Sequence, residues 1–208
     1  MPKLEKLVIA TRNLAKKERY DRILGKLGIA DNVLGLADFY FQEKPEESGE
    51  TAEENAKIKA LFYAKKTKLP VISEDESLFV DFLSLDKQPG TNVRRISGRE
   101  LNDDELFAYW GEAIARVPLK KRTGRWHVAI CLAMPDKRTF LATYNTEILF
   151  FFPPSKIRIP GWPMSSLQGP VVFKKPHSEL TQEEKDLYEE KIEKILKPIL
   201  KGLFNKGE

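Results

Sequence analysis

The sequence predicts an α/β fold, and three observations carry that expectation. Residues 5–10 end in a β-like apolar run that Thr11-Arg12-Asn13 breaks ahead of a polar, helix-prone stretch at 15–26. Thr51-Ala52-Glu53-Glu54 has the form of a capping box, with Thr51 capping the backbone and Glu54 reaching back, so a second helix should run to about Thr67. Residues 69–73 then read as a buried strand ending on Glu74-Asp75-Glu76, and the C-terminal ends of strands are where open α/β sheets bind ligands.

The remaining elements follow in chain order. Asn102-Asp103-Asp104-Glu105 places acids at the start of a third helix, whose apolar positions Leu106, Phe107, Trp110 and Ile114 belong to the core and whose latest end is Pro118. From Trp126 to Met134 large apolar residues alternate with smaller or polar ones; strands at 139–144 and 147–152 follow, predicting a β-rich second lobe. Pro153, Pro154, Pro160, Pro163, Pro170 and Pro176 leave room only for a short strand at 171–173. Thr181-Gln182-Glu183-Glu184 repeats the capping-box logic and opens a helix with an apolar face of Leu187, Ile192, Ile195, Leu196 and Ile199, which Pro198 should kink or end. The final Lys- and Gly-rich residues are expected to fray. No internal repeat or linker interrupts the chain, so residues 1–208 are expected to form one domain with two lobes.

Composition narrows the function classes. An apolar content of 41% with 32% charged residues is that of an ordinary globular protein. Thirty-five Lys and Arg against 31 Asp and Glu give a net charge of +4, which suits a polyanionic ligand. The longest uninterrupted apolar stretch, 128–134, is far short of the ~20 residues of a membrane span, so no membrane partner is expected. Cys131 is the only cysteine, which excludes an internal disulfide and a thiolate metal cage and fits a cytoplasmic location. His127 and His177 are too few and too far apart for a zinc motif; His127, between Trp126 and Val128, reads as a hydrogen-bonded structural histidine. The basic run Lys120-Lys121-Arg122, with Arg125 and Trp126 close behind, raises a nucleic-acid partner. A solvated turn explains it more simply, so none is expected.

Three segments carry chemistry. The turn at 11–17 puts hydroxyl, amide and ammonium groups at a helix start, where backbone N–H groups, the helix dipole and Lys16 make a phosphate cradle. In the second segment Glu47 precedes the capped helix, on which Asn55 and Lys59 share a face at i and i+4. The third is Glu74-Asp75-Glu76, since carboxylate oxygens are how Mg²⁺ is held beside substrate phosphates. Each also reads singly as solvated surface. Together, lysines for phosphates, carboxylates for metal and water, and strand ends to hold them form a phosphoanhydride-cleaving constellation.

Read in order, these segments resemble the inosine/xanthosine triphosphate pyrophosphatase family. Thr11-Arg12-Asn13-Leu14-Ala15-Lys16 is similar to its opening Thr/Ser-x-Asn-x-x-Lys motif, and the stretch from Glu47-Ser48-Gly49 through Thr51, Glu54-Asn55-Ala56 and Lys59-Ala60 is similar to its longest motif. Glu74-Asp75, Pro89-Gly90 with Arg95 and Ser97-Gly98, and Glu179-Leu180 with Glu183-Glu184-Lys185 continue the likeness over nearly the whole chain. The resemblance implies an elongated mixed sheet flanked by helices, two lobes with a central cleft, a homodimer, and Mg²⁺-dependent hydrolysis of non-canonical nucleoside triphosphates to monophosphate and pyrophosphate. It implies Glu47 and Glu74 as metal ligands, Asp75 as the group that positions or deprotonates water, and Lys16 and Lys59 as offsets to charge on the triphosphate. Thr11 and Asn13 would orient phosphates; Trp162 and Lys185 would contact the nucleotide.

The chain departs from the family at three places. Glu76-Ser77-Leu78 replaces Ser/Thr-Gly-Leu, Gly161-Trp162-Pro163-Met164 replaces the aromatic Phe-Gly-Tyr/Trp-Asp-Pro loop, and Asp186-Leu187-Tyr188-Glu189-Glu190 stands where a Ser-His-Arg motif contacts the purine. A second reading therefore stays open, that of a degenerate member that binds or senses nucleotides without hydrolysing them.

Overall fold

The structure is a computed structural model that describes residues 3–96 and 98–202. Its elements are β1 (Leu4–Ile9), α1 (Leu14–Leu27), β2 (Ala30–Gly35), α2 (Ala52–Thr67), β3 (Val71–Val80), β4 (Arg95–Ile96), β5 (Arg99–Glu100), α3 (Asp103–Ala115), β6 (Thr123–Ala133), β7 (Thr139–Phe150), β8 (Gln168–Pro170) and α4 (Gln182–Gly202). Six strands form one sheet in the order β2-β1-β3-β6-β7-β8, and β4 pairs only with β5. The sheet is mixed: β1 runs parallel to both β2 and β3, whereas β7 and β8 are antiparallel. The expected mixed α/β fold is thus present. No helix among the described residues is long and apolar enough to cross a membrane.

The chain divides into two compact units, one drawn from residues 1–75, 128–144 and 187–208, the other from 76–127 and 145–186. In the first unit, Leu7, Val8 and Ile9 are buried in succession because β1 has a parallel neighbour on each side. Asn13 caps α1 by accepting from the Lys16 N–H. The capping box at α2 forms as expected between Thr51 and Glu54. Ala52, Ala56, Ala60 and Ala64 recur every fourth residue and are all buried. They let α2 lie close to the strands, where the Ser73 hydroxyl donates to the Ala56 carbonyl. Val8, Val71, Ala129 and Cys131 complete this core.

The second unit has its own core, in which Trp110 and Ile114 of α3 meet Leu78, Val80, Ile148, Phe150 and Leu167. Asn102 and Glu105 close a capping box at the start of α3, where the sequence suggested only a run of acids. Arg122 donates to the carbonyls of Val117 and Phe152, and Arg125 lies over the Phe79 ring at 4.7 Å. The basic run is therefore partly a turn-closing device. His127 Nδ1 lies 2.9 Å from Asn145 Oδ1, a hydrogen-bonded place such as the sequence suggested.

Several boundaries differ from expectation. The acids 74–76 lie inside β3, which continues to Val80. However, β1 pairs with β3 only at Val71 and Ile72, so the acids still stand just beyond the end of the parallel pairing. The two strands expected at 139–152 are one, because Asn145 and Thr146 stay extended within β7. The short strand expected at 171–173 falls instead at 168–170, where Gln168, Gly169 and Pro170 pair with Phe150, Leu149 and Ile148. Helix α4 runs past Pro198. Strand β2 was not foreseen, since an edge strand of mixed polarity lacks clean alternation. Ser97 and residues 203–208, where fraying was expected, lie outside the described residues.

Candidate active site

Of the nine expected site residues, seven belong to the first unit: Thr11, Asn13, Lys16, Glu47, Lys59, Glu74 and Asp75. Trp162 and Lys185 belong to the second. In the turn after β1, the Thr11 hydroxyl accepts from the Asn13 N–H at 3.1 Å, and Asn13 Oδ1 accepts from the Lys16 N–H at 3.2 Å. These bonds shape the turn and cap α1, so that Lys16 leaves its first turn.

Asp75 and Lys59 meet directly. The Lys59 ammonium donates to Asp75 Oδ1 at 2.8 Å and lies 3.4 Å from Glu47 Oε2. Glu47 is placed by the loop that enters α2. Buried Asn55 accepts from the Gly49 N–H at 2.8 Å and ties that loop to the helix. A Cβ at Gly49 would stand 2.6 Å from Glu54 Cβ and 2.7 Å from Asn55 Oδ1, which explains why glycine is needed there. Tyr63, one turn beyond Lys59 on α2, hydrogen-bonds with Arg12, and its pKa is raised by burial and partly lowered again by the Arg12 charge.

Glu74 is engaged differently from its expected use as a metal ligand. Arg19 Nη2 lies 2.7 Å from its Oε1 and 2.6 Å from its Oε2, Lys16 Nζ lies 3.0 Å from Oε1, and the Tyr20 hydroxyl donates to Oε2 at 2.7 Å. Both oxygens thus face cationic or hydroxyl donors. The Tyr20 pKa is raised well above its ordinary value, first by burial and then by the Glu74 carboxylate, with Arg19 opposing. Arg12, Arg19, Tyr20 and Tyr63 are residues the sequence reading missed. For Arg19 and Tyr20 the signal was helical spacing, since they follow Lys16 by three and four positions and so share its face.

A Mg²⁺-type cation takes one or two carboxylates and completes its shell with water and phosphate oxygens. Asp75 and Glu47, within 3.4 Å of one ammonium, match that demand. Among the described residues no group of three or more His, Cys, Asp or Glu makes an all-protein cage.

In the second unit, Trp162 follows Gly161, whose positive φ of 75° suits glycine. The Gly161 N–H donates to Asp103 Oδ2 at 3.0 Å, which fixes the loop to the start of α3. The Trp162 ring packs edge-on against His177 at 4.8 Å between centroids. Lys185 lies in the first turn of α4, its N–H bonded to the Thr181 carbonyl at 3.0 Å.

Comparison with known proteins gives this site a context. The chain is 32% identical over 187 residues to a protein of Halalkalibacterium halodurans named dITP/XTP pyrophosphatase, covering 88% of this chain and 91% of that protein. A protein of the same name from Exiguobacterium sibiricum is 36% identical over 68% of this chain and 70% of its own length. Among solved structures, the nucleoside-triphosphatase or dITP/XTP pyrophosphatase of Mycobacterium abscessus superposes with a TM-score of 0.65 at 26% identity, over 89% of this chain and 94% of that one. A HAM1 protein from Coxiella burnetii shares the fold at a TM-score of 0.71 and 22% identity, over 94% of this chain and 100% of that one. The Ham1 family model matches residues 7–162, a span that contains the turn after β1, the Glu47 loop, α2 and the acids of β3, and the chain belongs to the Ham1 family.

Proposed function

We propose that this chain is a nucleoside triphosphate pyrophosphatase that hydrolyses non-canonical nucleoside triphosphates to the monophosphate and pyrophosphate. The observation that carries this reading is the Lys59 ammonium held by Asp75 and Glu47, in the same unit as Lys16 at the α1 start. The names of the relatives, dITP/XTP pyrophosphatase, support the substrate class.

Release of pyrophosphate requires water to attack the α-phosphorus and the α–β anhydride to break. Asp75 is the proton acceptor: Lys59 fixes the carboxylate through Oδ1, and Oδ2 would take the proton of the attacking water. Lys59 and Lys16 offset the negative charge that grows on the phosphate oxygens. Thr11 and Asn13 shape the turn at the α1 start, a helix N-terminus that would favour phosphate oxygens. Asp75 and Glu47 would hold a divalent ion, which neutralises phosphate charge and acidifies water when bound. Hard oxygen donors in this number favour Mg²⁺. The family resemblance adds Trp162 and Lys185 as nucleotide contacts and a homodimer as the assembly.

The test is a panel of inosine, xanthosine, adenosine and guanosine triphosphates with Mg²⁺, in which pyrophosphate and orthophosphate are measured separately. Pyrophosphate from the first two is expected. Orthophosphate alone, or nucleotide binding with neither product, overturns the reading.

A further inference from the structure

Two cations, Arg19 and Lys16, contact Glu74, and the burial of the three side chains is graded. The side chains of Glu74 and Arg19 are 3% and 5% exposed, whereas that of Lys16 is 16% exposed. A buried carboxylate is tolerated when cations and hydrogen-bond donors surround it, and here Arg19 touches both oxygens while Tyr20 supplies a neutral donor. With Arg19 as the buried counter-ion, Lys16 is the more accessible of the two cations.

We propose that Glu74 and Arg19 are positioning residues rather than parts of the metal shell: Arg19 neutralises Glu74, and Glu74 docks the Lys16 ammonium at one place while leaving its charge available to a triphosphate. The inference rests on the reading that Lys16 faces phosphate oxygens. Three features carry it. Each Glu74 oxygen has two donor contacts, so a metal would have to displace a cation or a hydroxyl to reach it. Asp75, the next residue, presents its carboxylate instead to Lys59, whose ammonium also lies 3.4 Å from Glu47. Finally, Arg19 and Tyr20 share the α1 face that carries Lys16, so one rigid helix sets all three donors.

Opposite substitutions at the two positions separate this role from others. Glu74→Gln removes the anion beside Lys16, so kcat should fall at least ~10-fold through loss of positioning while KM stays level or decreases. Arg19→Met leaves Lys16 as the cation that must neutralise Glu74, so KM should rise at least ~10-fold; Arg19→Lys should restore it, and the double variant should return KM toward the original value. Mn²⁺ binding, followed by the EPR signal of the free ion in the presence of an α,β-imido inosine triphosphate, supplies the second readout. Glu74→Gln should keep Mn²⁺ affinity within ~3-fold. A drop of ~10-fold or more in Mn²⁺ affinity, or kcat restored by excess metal, would make Glu74 a ligand and overturn the proposal. Lower melting temperatures with unchanged kcat and KM would reduce both residues to scaffold and overturn it too. Should Arg19→Met fail to fold, the near-isosteric Glu74→Gln still decides through its kcat and Mn²⁺ arms. Absence of Mn²⁺ binding by the unsubstituted protein would count against the metal assignment to Asp75 and Glu47, leaving the opposed KM shifts to judge Glu74 and Arg19.

Discussion

Asp75 has a carboxylate in contact with an ammonium and is only slightly exposed, so exchanging it for an amide changes charge without changing shape. Asp75→Asn should keep the fold, by circular dichroism and melting temperature, and lose ~100-fold or more of pyrophosphate release, the usual scale for a lost general base. Unchanged turnover in the folded variant would remove Asp75 from the chemistry. A different sensitivity is expected at Gly49, which has no side chain to take part in the chemistry. Gly49→Ala drives a methyl against Asn55 Oδ1 and Glu54 Cβ, so the loop must move and take Glu47 with it. Activity should then fall and the apparent Mg²⁺ requirement rise, with little change in melting temperature. The motifs made Asp75, Lys59 and Glu47 legible in the sequence because contiguous acids and an i, i+4 pair are local patterns. For Arg19 and Tyr20 the spacing from Lys16 shows only a shared helix face; their partner, Glu74, lies 55 and 54 positions away, and that pairing no local pattern encodes.

At the level of elements, α2 owes its position to the four alanines on its buried face. Ala60→Leu would force a larger side chain into a face that is fully buried, and overpacking of this kind costs ~1–3 kcal/mol. A lower midpoint in urea with an unchanged slope is the expected reading, and an unchanged midpoint would show that the face has slack. Helix starts were the most legible part of the fold: Thr51 and Thr181 each form the capping bonds that their spacing to Glu54 and Glu184 promised. Strand ends were less so. β7 runs through a polar pair that looked like a break, and β8 sits three residues early, because pairing with Ile148–Phe150 fixes where it begins. Propensity says little about such partners.

For the molecule as a whole, each unit has its own core, and Cys131 lies in that of the first. Burial pushes its thiol up to about 11. A thiol whose folded pKa is raised contributes stability that is full below its unfolded value and is lost as pH rises through the folded one, so stability should decline between roughly pH 8.5 and 11. Cys131→Ala should flatten that part of the pH–stability curve, and iodoacetamide should label Cys131 only after denaturation. The Lys59 ammonium between Asp75 and Glu47 has a consequence for metal removal. It offsets both carboxylates from within the chain, so they need no ion from solution to remain together. Treatment with EDTA should therefore abolish turnover and leave the melting temperature nearly where it was, and a loss of structure on chelation would show that the lysine alone cannot hold the two acids.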